Sequence, residues 1–153
     1  SPSFHLEKRT RRQPDRINSL LNFANYLLFS RINATLRAAG LNPYLGFLHN
    51  SGDDCETLAC DIRELFRARI ERLIIRLLNL KIITENDFVH NDNGHWLARD
   101  GKNKFLREFE KELNKTTGPV LSLKEHINLQ IEIFKKWIQD QTSLTFYHWE
   151  VKN

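Results

Sequence analysis

One histidine, His49, and two carboxylates, Asp61 and Glu64, are the side chains whose types and spacing suggest chemistry. Asp61 and Glu64 stand one turn apart on a long amphipathic pattern, and His49 lies just before it on a loop stiffened by Pro43 and loosened by Gly46. At about 100° per residue, Glu64 falls opposite the centre of the apolar stripe and Asp61 at its margin, so the carboxylates are neighbours. An imidazole and two carboxylates can converge there. A neutral imidazole nitrogen with carboxylate oxygens suits Mg²⁺ or Mn²⁺ better than Zn²⁺, which favours more nitrogen and sulfur. The same helix carries Arg63, Arg67, Glu71 and Arg72, so an ordinary solvated, ion-paired face fits the pattern too.

The positioning elements follow from hydrophobic periodicity. Asp53 and Glu56 have the spacing of a capping box, which predicts a helix start near Asp54. Leu58, Ile62, Leu65, Phe66, Ile70, Leu73, Ile74, Leu77 and Leu78 then form its apolar stripe. An earlier helix runs from about Asp15 on Ile17, Leu20, Leu21, Ala24, Leu28, Ile32 and Leu36, with Gly40 as its C-terminal cap. Asn18, Asn22 and Asn25 are poor helix formers inside it, which points to a polar network, a partner or simple exposure. Beyond residue 80, Asp92, Asn93 and Gly94 read as the turn of a small hairpin between Val89 and Trp96–Leu97. His90, Asp92 and His95 there are a weak metal signal, and a hairpin is the better reading.

A helix over residues 101–114 uses Phe105, Leu106, Phe109 and Leu113. Gly118 and Pro119 break the chain, and Ser122 with Glu125 caps a last helix to about Asp140 with the stripe Ile127, Ile131, Phe134 and Ile138. Lys135 and Lys136 complement its dipole, and the aromatic tail, His148 included, packs back on the domain. The fold class is all-α, a multi-helical domain with one small β-hairpin. It is read as a single domain over residues 1–153, with residues 1–14 a basic arm.

Composition bounds the function. With 41% hydrophobic and 27% charged residues, the 153-residue chain is an ordinary globular one, and its net charge of +4 does not by itself argue for nucleic acid. No apolar run is long enough to span a bilayer, so a soluble protein without a membrane partner is expected. Cys55 and Cys60 are five apart on the helix pattern and point different ways, which fits an unpaired state in a reducing cytoplasm. Lys8, Arg9, Arg11, Arg12 and Arg16 make the first residues locally basic. Such a cluster can grip phosphates or be a solvated arm. The absence of methionine and the SPSF opening suggest an excised piece of a longer protein.

Two stretches carry a family resemblance. GLNPYLGFLHN followed by LACDIRELFR resembles the signature of the CRISPR-associated integrases of spacer acquisition, the Cas-one family, which reads approximately GLDPxxGFLH, a variable loop, then SLxxDLxExFR. Gly40, Leu41, Pro43, Gly46, Phe47, Leu48, His49, Leu58, Asp61, Ile62, Glu64, Phe66 and Arg67 occupy the matching positions, while Ala68 replaces a common proline and Glu71 a usual aspartate. Upstream, RTRRQPDRINSLLNFANYLL resembles the family's arginine-rich entry to its first core helix, with Arg16 for a proline and Asn25 for a tyrosine.

The resemblance implies the C-terminal helical domain of such an integrase, in which His49 and Glu64 ligate Mg²⁺ or Mn²⁺ and Asp61 assists as a third catalytic residue. Arg9, Arg11, Arg12, Arg63 and Arg67 would contact DNA. The implied activity is metal-dependent DNA cleavage and strand transfer, the 3′-hydroxyl of a short incoming DNA attacking a repeat end. Implied partners are DNA, a second copy in the intact protein, and a small ferredoxin-like adaptation subunit. Whole members also carry an N-terminal β domain and a further metal-binding glutamate, neither of which has a counterpart here, so an incomplete metal site is expected. A rival class is a helical module that binds nucleic acid or protein without chemistry. It explains the basic arm and the amphipathic helices, but not the histidine and two acids in that spacing.

Overall fold

The computed structural model describes Phe4 and residues 8–10, 12, 15–48, 56–116, 120–140 and 145–146. They form α1 (Arg16–Ala38), α2 (Thr57–Asn79), a 3-10 turn (Glu85–Asp87), β1 (Phe88–Asn91), β2 (Gly94–Leu97), α3 (Arg99–Asn114) and α4 (Leu123–Asp140). The architecture is all-α with a single antiparallel hairpin among the described residues, as the periodicities imply. The chain divides into two compact units, one of Ser1–Tyr26 with Ile70–Glu112 and one of Leu27–Arg69 with Leu113–Asn153.

In the first unit, Asp15 caps α1 by accepting the Asn18 backbone N–H at 2.7 Å. Asn18 itself is buried and uses both ends of its amide. Its oxygen accepts from the Thr10 N–H (3.0 Å) and the Arg9 guanidinium (2.9 Å), and its nitrogen donates to the Lys8 carbonyl (2.8 Å) and Asp15 (2.9 Å). Of the readings open for the helix asparagines, Asn18 takes the polar network, a clasp on the basic arm, whereas Asn25 donates to the Leu21 carbonyl of its own helix at 2.7 Å. Leu20, Leu21 and Ala24 of α1, Ile70, Leu73, Ile74 and Leu77 of α2, and Phe105 and Phe109 of α3 supply buried apolar side chains. Phe23 meets Phe105 edge-on at 5.7 Å.

Helix α2 stops with Lys81 in the left-handed region (φ 54), where the Ile82 N–H bonds back to Leu77 at 2.9 Å and the Lys81 N–H to Leu78 at 3.1 Å. That is the hydrogen-bond pattern of a glycine cap built on a lysine. The hairpin pairs Val89 with Trp96 and His90 with His95, its turn being Asp92–Asn93. Helix α3 starts at Arg99, two residues before the expected 101, because Gly101 sits inside its first turn. A Cβ at Gly101 would lie 2.5 Å from the Asp87 carbonyl oxygen, so glycine permits that close approach and is no helix boundary. The Asp87 carboxylate accepts from the Lys104 ammonium at 2.6 Å and from the Thr84 N–H at 2.8 Å.

In the second unit, Leu28, Ile32 and Leu36 of α1, Leu58, Ala59, Ile62 and Phe66 of α2, and Leu123, Ile127, Ile131 and Phe134 of α4 are buried. Gly40 (φ +77) closes α1 as expected, with Leu41 bonding back to Leu36 and Gly40 to Arg37, both at 3.0 Å. Ser122 and Glu125 form the anticipated capping box of α4: the Ser122 N–H donates to the carboxylate (2.7 Å) and the Glu125 N–H to the hydroxyl (3.2 Å).

Three local expectations are corrected. Helix α2 begins at Thr57, not near Asp54, and Glu56 accepts charge-assisted bonds from Asn33 (2.9 Å) and Arg37 (2.7 Å) of α1. Asp53 and Asp54 lie outside the described residues, as do Cys55, Gly118, Pro119 and His148. The α4 stripe ends one turn early, because Ile138 is 51% exposed. Lys135 and Lys136 precede the last turn of α4, which holds no basic residue. Of the tail, Thr145 accepts from the Gln130 amide at 3.0 Å and Phe146 lies 6.0 Å from Phe47.

Candidate active site

The loop ahead of His49 is laced to the start of α2. The Leu58 N–H donates to the Pro43 carbonyl at 2.9 Å. Thr57 acts twice, its hydroxyl donating to the Tyr44 carbonyl (2.7 Å) and accepting from the Gly46 N–H (2.9 Å). One turn on, Asp61 Oδ2 accepts the successive backbone N–H groups of Phe47 (2.7 Å) and Leu48 (3.0 Å). A Cβ at Gly46 would lie 2.7 Å from both Asp61 Oδ2 and Thr57 Oγ1, so the backbone reaches its anchors because residue 46 has no side chain. Phe47 stacks on Phe134, with ring centroids 5.7 Å apart.

Asp61 is only 1% exposed, not at the margin of the buried stripe where periodicity places it. The departure has a clear cause: two peptide N–H donors offset the cost of burying a charge. Glu64 behaves differently. Its side chain is 35% exposed and bonded by the Arg63 guanidinium at 2.9 Å and the Arg67 guanidinium at 3.3 Å. Partial burial pushes the Glu64 carboxyl up, but the bonds and charges of Arg63 and then Arg67 outweigh it and hold the group below the usual carboxylate range. Glu64 is thus an ionised, hard-oxygen donor with one side toward solvent, which fits Mg²⁺ or Mn²⁺ chemistry.

His49 lies outside the described residues, so its imidazole is placed by the chain only as the neighbour of Leu48. Among the described residues no group of three or more His, Cys, Asp or Glu side chains could hold a metal ion. His90 and His95 do face each other, with ring centroids 4.5 Å apart. Burial, then the charges of Arg16 and His90, push His95 down against the opposing pull of Asp15.

Of the arginines singled out for DNA, Arg63 and Arg67 converge on Glu64, Arg9 is tied to Asn18, Arg12 is exposed, and Arg11 lies outside the described residues. Thr57 and the Phe47–Phe134 stack were not singled out beforehand. A threonine opening a helix pattern is a common cap signal, but its partners, Tyr44 and Gly46, lie across an intervening loop. Among the described residues no helix is long and apolar enough to cross a membrane.

The family model described as "CRISPR associated protein Cas1" matches residues 1–111, and the chain belongs to that family. It is 39% identical over 115 residues to the CRISPR-associated endonuclease Cas1 of Methanothermobacter thermautotrophicus, covering 74% of this chain and 34% of that protein. It is 36% identical over 143 residues to the CRISPR-associated endonuclease Cas1 of Leptospira interrogans, covering 89% of this chain and 56% of that protein. The chain therefore spans between a third and just over half of these relatives.

Among solved structures, a Cas1 protein from Thermotoga maritima superposes with TM-score 0.86 at 30% identity over 97% of this chain and 47% of that one. A Cas6-RT-Cas1–Cas2 complex gives TM-score 0.85 at 28% identity over 97% of this chain and 17% of the other. A casposase bound to integration product gives TM-score 0.74 at 26% identity, covering 82% and 38%. The four helices and hairpin are those of the Cas1 C-terminal helical domain.

Proposed function

We propose that this chain is the C-terminal domain of a CRISPR adaptation integrase that cleaves DNA and joins short DNAs to a repeat end in a divalent-metal-dependent reaction. The observation that carries the proposal is Glu64, an ionised and partly exposed carboxylate two turns beyond the helix start to which the loop before His49 is tied. His49 and Glu64 would hold Mg²⁺ or Mn²⁺, with a further ligand from outside this chain. When bound, the ion supplies Lewis acidity to the scissile phosphate and charge stabilisation to the attacking and leaving oxygens.

The chain's own residues do the rest. Arg63 and Arg67 hold Glu64 below the usual carboxylate range, and the same guanidinium groups would contact a phosphate backbone. Arg9, Arg11 and Arg12 would also contact DNA. The arm reaches α1 through Asn18, whose bonds to Lys8, Arg9 and Thr10 fix where it starts. The attacking group is the 3′-hydroxyl of the incoming DNA, and water in its place gives nuclease activity. The likeness to a Cas1–Cas2 complex and to a casposase on integration product supports DNA and a Cas2-type subunit as partners, and a second copy of the chain would join them in the intact protein.

The test is Mn²⁺-dependent joining of a short 3′-hydroxyl DNA to a repeat end by the full-length protein. His49→Ala and Glu64→Ala should each abolish joining with the fold retained by circular dichroism. Unchanged joining in either would remove that residue from the site.

A further inference from the structure

We infer that Asp61 is a positioning residue: through its hydrogen bonds to the Phe47 and Leu48 peptides it fixes the backbone that delivers His49, and it serves the reaction by that contact. The inference rests on the functional reading above and assigns Asp61 a role different from that of Glu64. Its burial is the first ground, since a side chain 1% exposed is poorly placed to meet DNA or a hydrated ion, whereas Glu64 is open to both. The second is its bonding. Oδ2 receives two consecutive peptide N–H groups, so a single side-chain oxygen holds two adjacent peptides of the loop.

Independent anchors act on the same segment. Thr57 ties Tyr44 and Gly46, Leu58 ties Pro43, and Phe47 is stacked on Phe134. The backbone from Pro43 to Leu48 is thereby held at Pro43, Tyr44, Gly46, Phe47 and Leu48, the last of which precedes His49. Gly46 completes the case, because a Cβ there would strike the two side chains that do the anchoring, Thr57 and Asp61. Ligand positions tolerate little looseness, and losing an outer-shell partner commonly costs 10-fold to 100-fold in metal affinity or activity.

The test pairs two measurements on the full-length protein: amide hydrogen exchange at Phe47 and Leu48, and joining kinetics at saturating Mn²⁺. Asp61→Asn should speed exchange at both amides while α2 stays protected, and should lower kcat on the order of tenfold with KM for DNA unchanged. Thr57→Val, which leaves every candidate ligand in place, should speed exchange at Gly46 and lower kcat in the same way. It also keeps the inference open to refutation if Asp61→Asn does not fold. Joining that falls with amide protection intact would mean Asp61 acts directly, and protection lost with joining unchanged would mean the loop position is immaterial. Either overturns the inference, as does a variant that moves neither readout. Normal joining by His49→Ala is a different outcome, which removes the underlying site.

Discussion

Asp61 and Glu64 stand one turn apart on α2 yet face different tasks, the first bonded to the backbone of Phe47 and Leu48, the second to the guanidinium groups of Arg63 and Arg67. Two carboxylates at that spacing would repel if both shared one site. Here each has its own donors, peptide N–H groups for Asp61 and guanidinium groups for Glu64.

The tightest steric consequence falls on Gly46. Gly46→Ala places a Cβ against Asp61 and Thr57, and one or the other must yield. A loss of about 1–3 kcal/mol is expected from such overpacking, together with reduced joining. Urea unfolding of the variant beside wild type measures the first, and a midpoint equal to wild type would contradict the contact.

Asn18 gives a second prediction. Asn18→Ala removes the acceptor of the Thr10 N–H and Arg9 and the donor to Lys8, at a buried position. A destabilisation of about 1–3 kcal/mol follows from the unpaired groups. Exchange at the Thr10 amide should rise in parallel, and an unchanged rate there would argue that the clasp is absent in solution.

Lys81 offers the opposite sign. A non-glycine residue at φ 54 carries left-handed strain, partly offset by its lower entropy when unfolded. Lys81→Gly should stabilise by roughly 0.5–1 kcal/mol, seen as a raised melting temperature. Lys81→Val should lower it, because a β-branched side chain tolerates that backbone poorly.

The pH dependence centres on Asp87. Burial pushes this carboxyl up, but Lys104 and the Thr84 backbone outweigh it and hold the group below its ordinary value of 3.8. A folded-state value below the unfolded one means stability that is fully present above about pH 4 and lost as pH falls through the depressed value. Asp87→Asn should therefore be less stable than wild type at neutral pH, with the gap closing in acid. Parallel stability curves would contradict the sign.

Local signals were legible in the sequence because their partners are near in the chain. Ser122 with Glu125, Gly40 after Leu36, and the buried faces of α1 and α2 need only a few neighbouring residues to specify them. The bonds of Glu56 to Asn33 and Arg37 are not legible for the complementary reason, because both partners come from the preceding helix, far away in the sequence. The two residues by which α3 starts ahead of 101 are not legible, nor is the close approach of Asp87 to Gly101, which nothing in its chain neighbours reveals. Periodicity put Asp61 at the edge of a stripe but could not show that two peptide donors would draw it inside. Ile138 fits the apolar stripe of α4, yet periodicity alone cannot supply a surface to cover the last turn.

The central claim is that His49 and Glu64 hold a divalent cation. Calorimetric titration of Mn²⁺ into the full-length protein, compared with Glu64→Ala and His49→Ala, tests it most directly. The account predicts binding in the wild type that is lost or greatly weakened in both variants. Binding of undiminished affinity in both would contradict it and leave the helical domain as a binding module whose chemistry lies elsewhere.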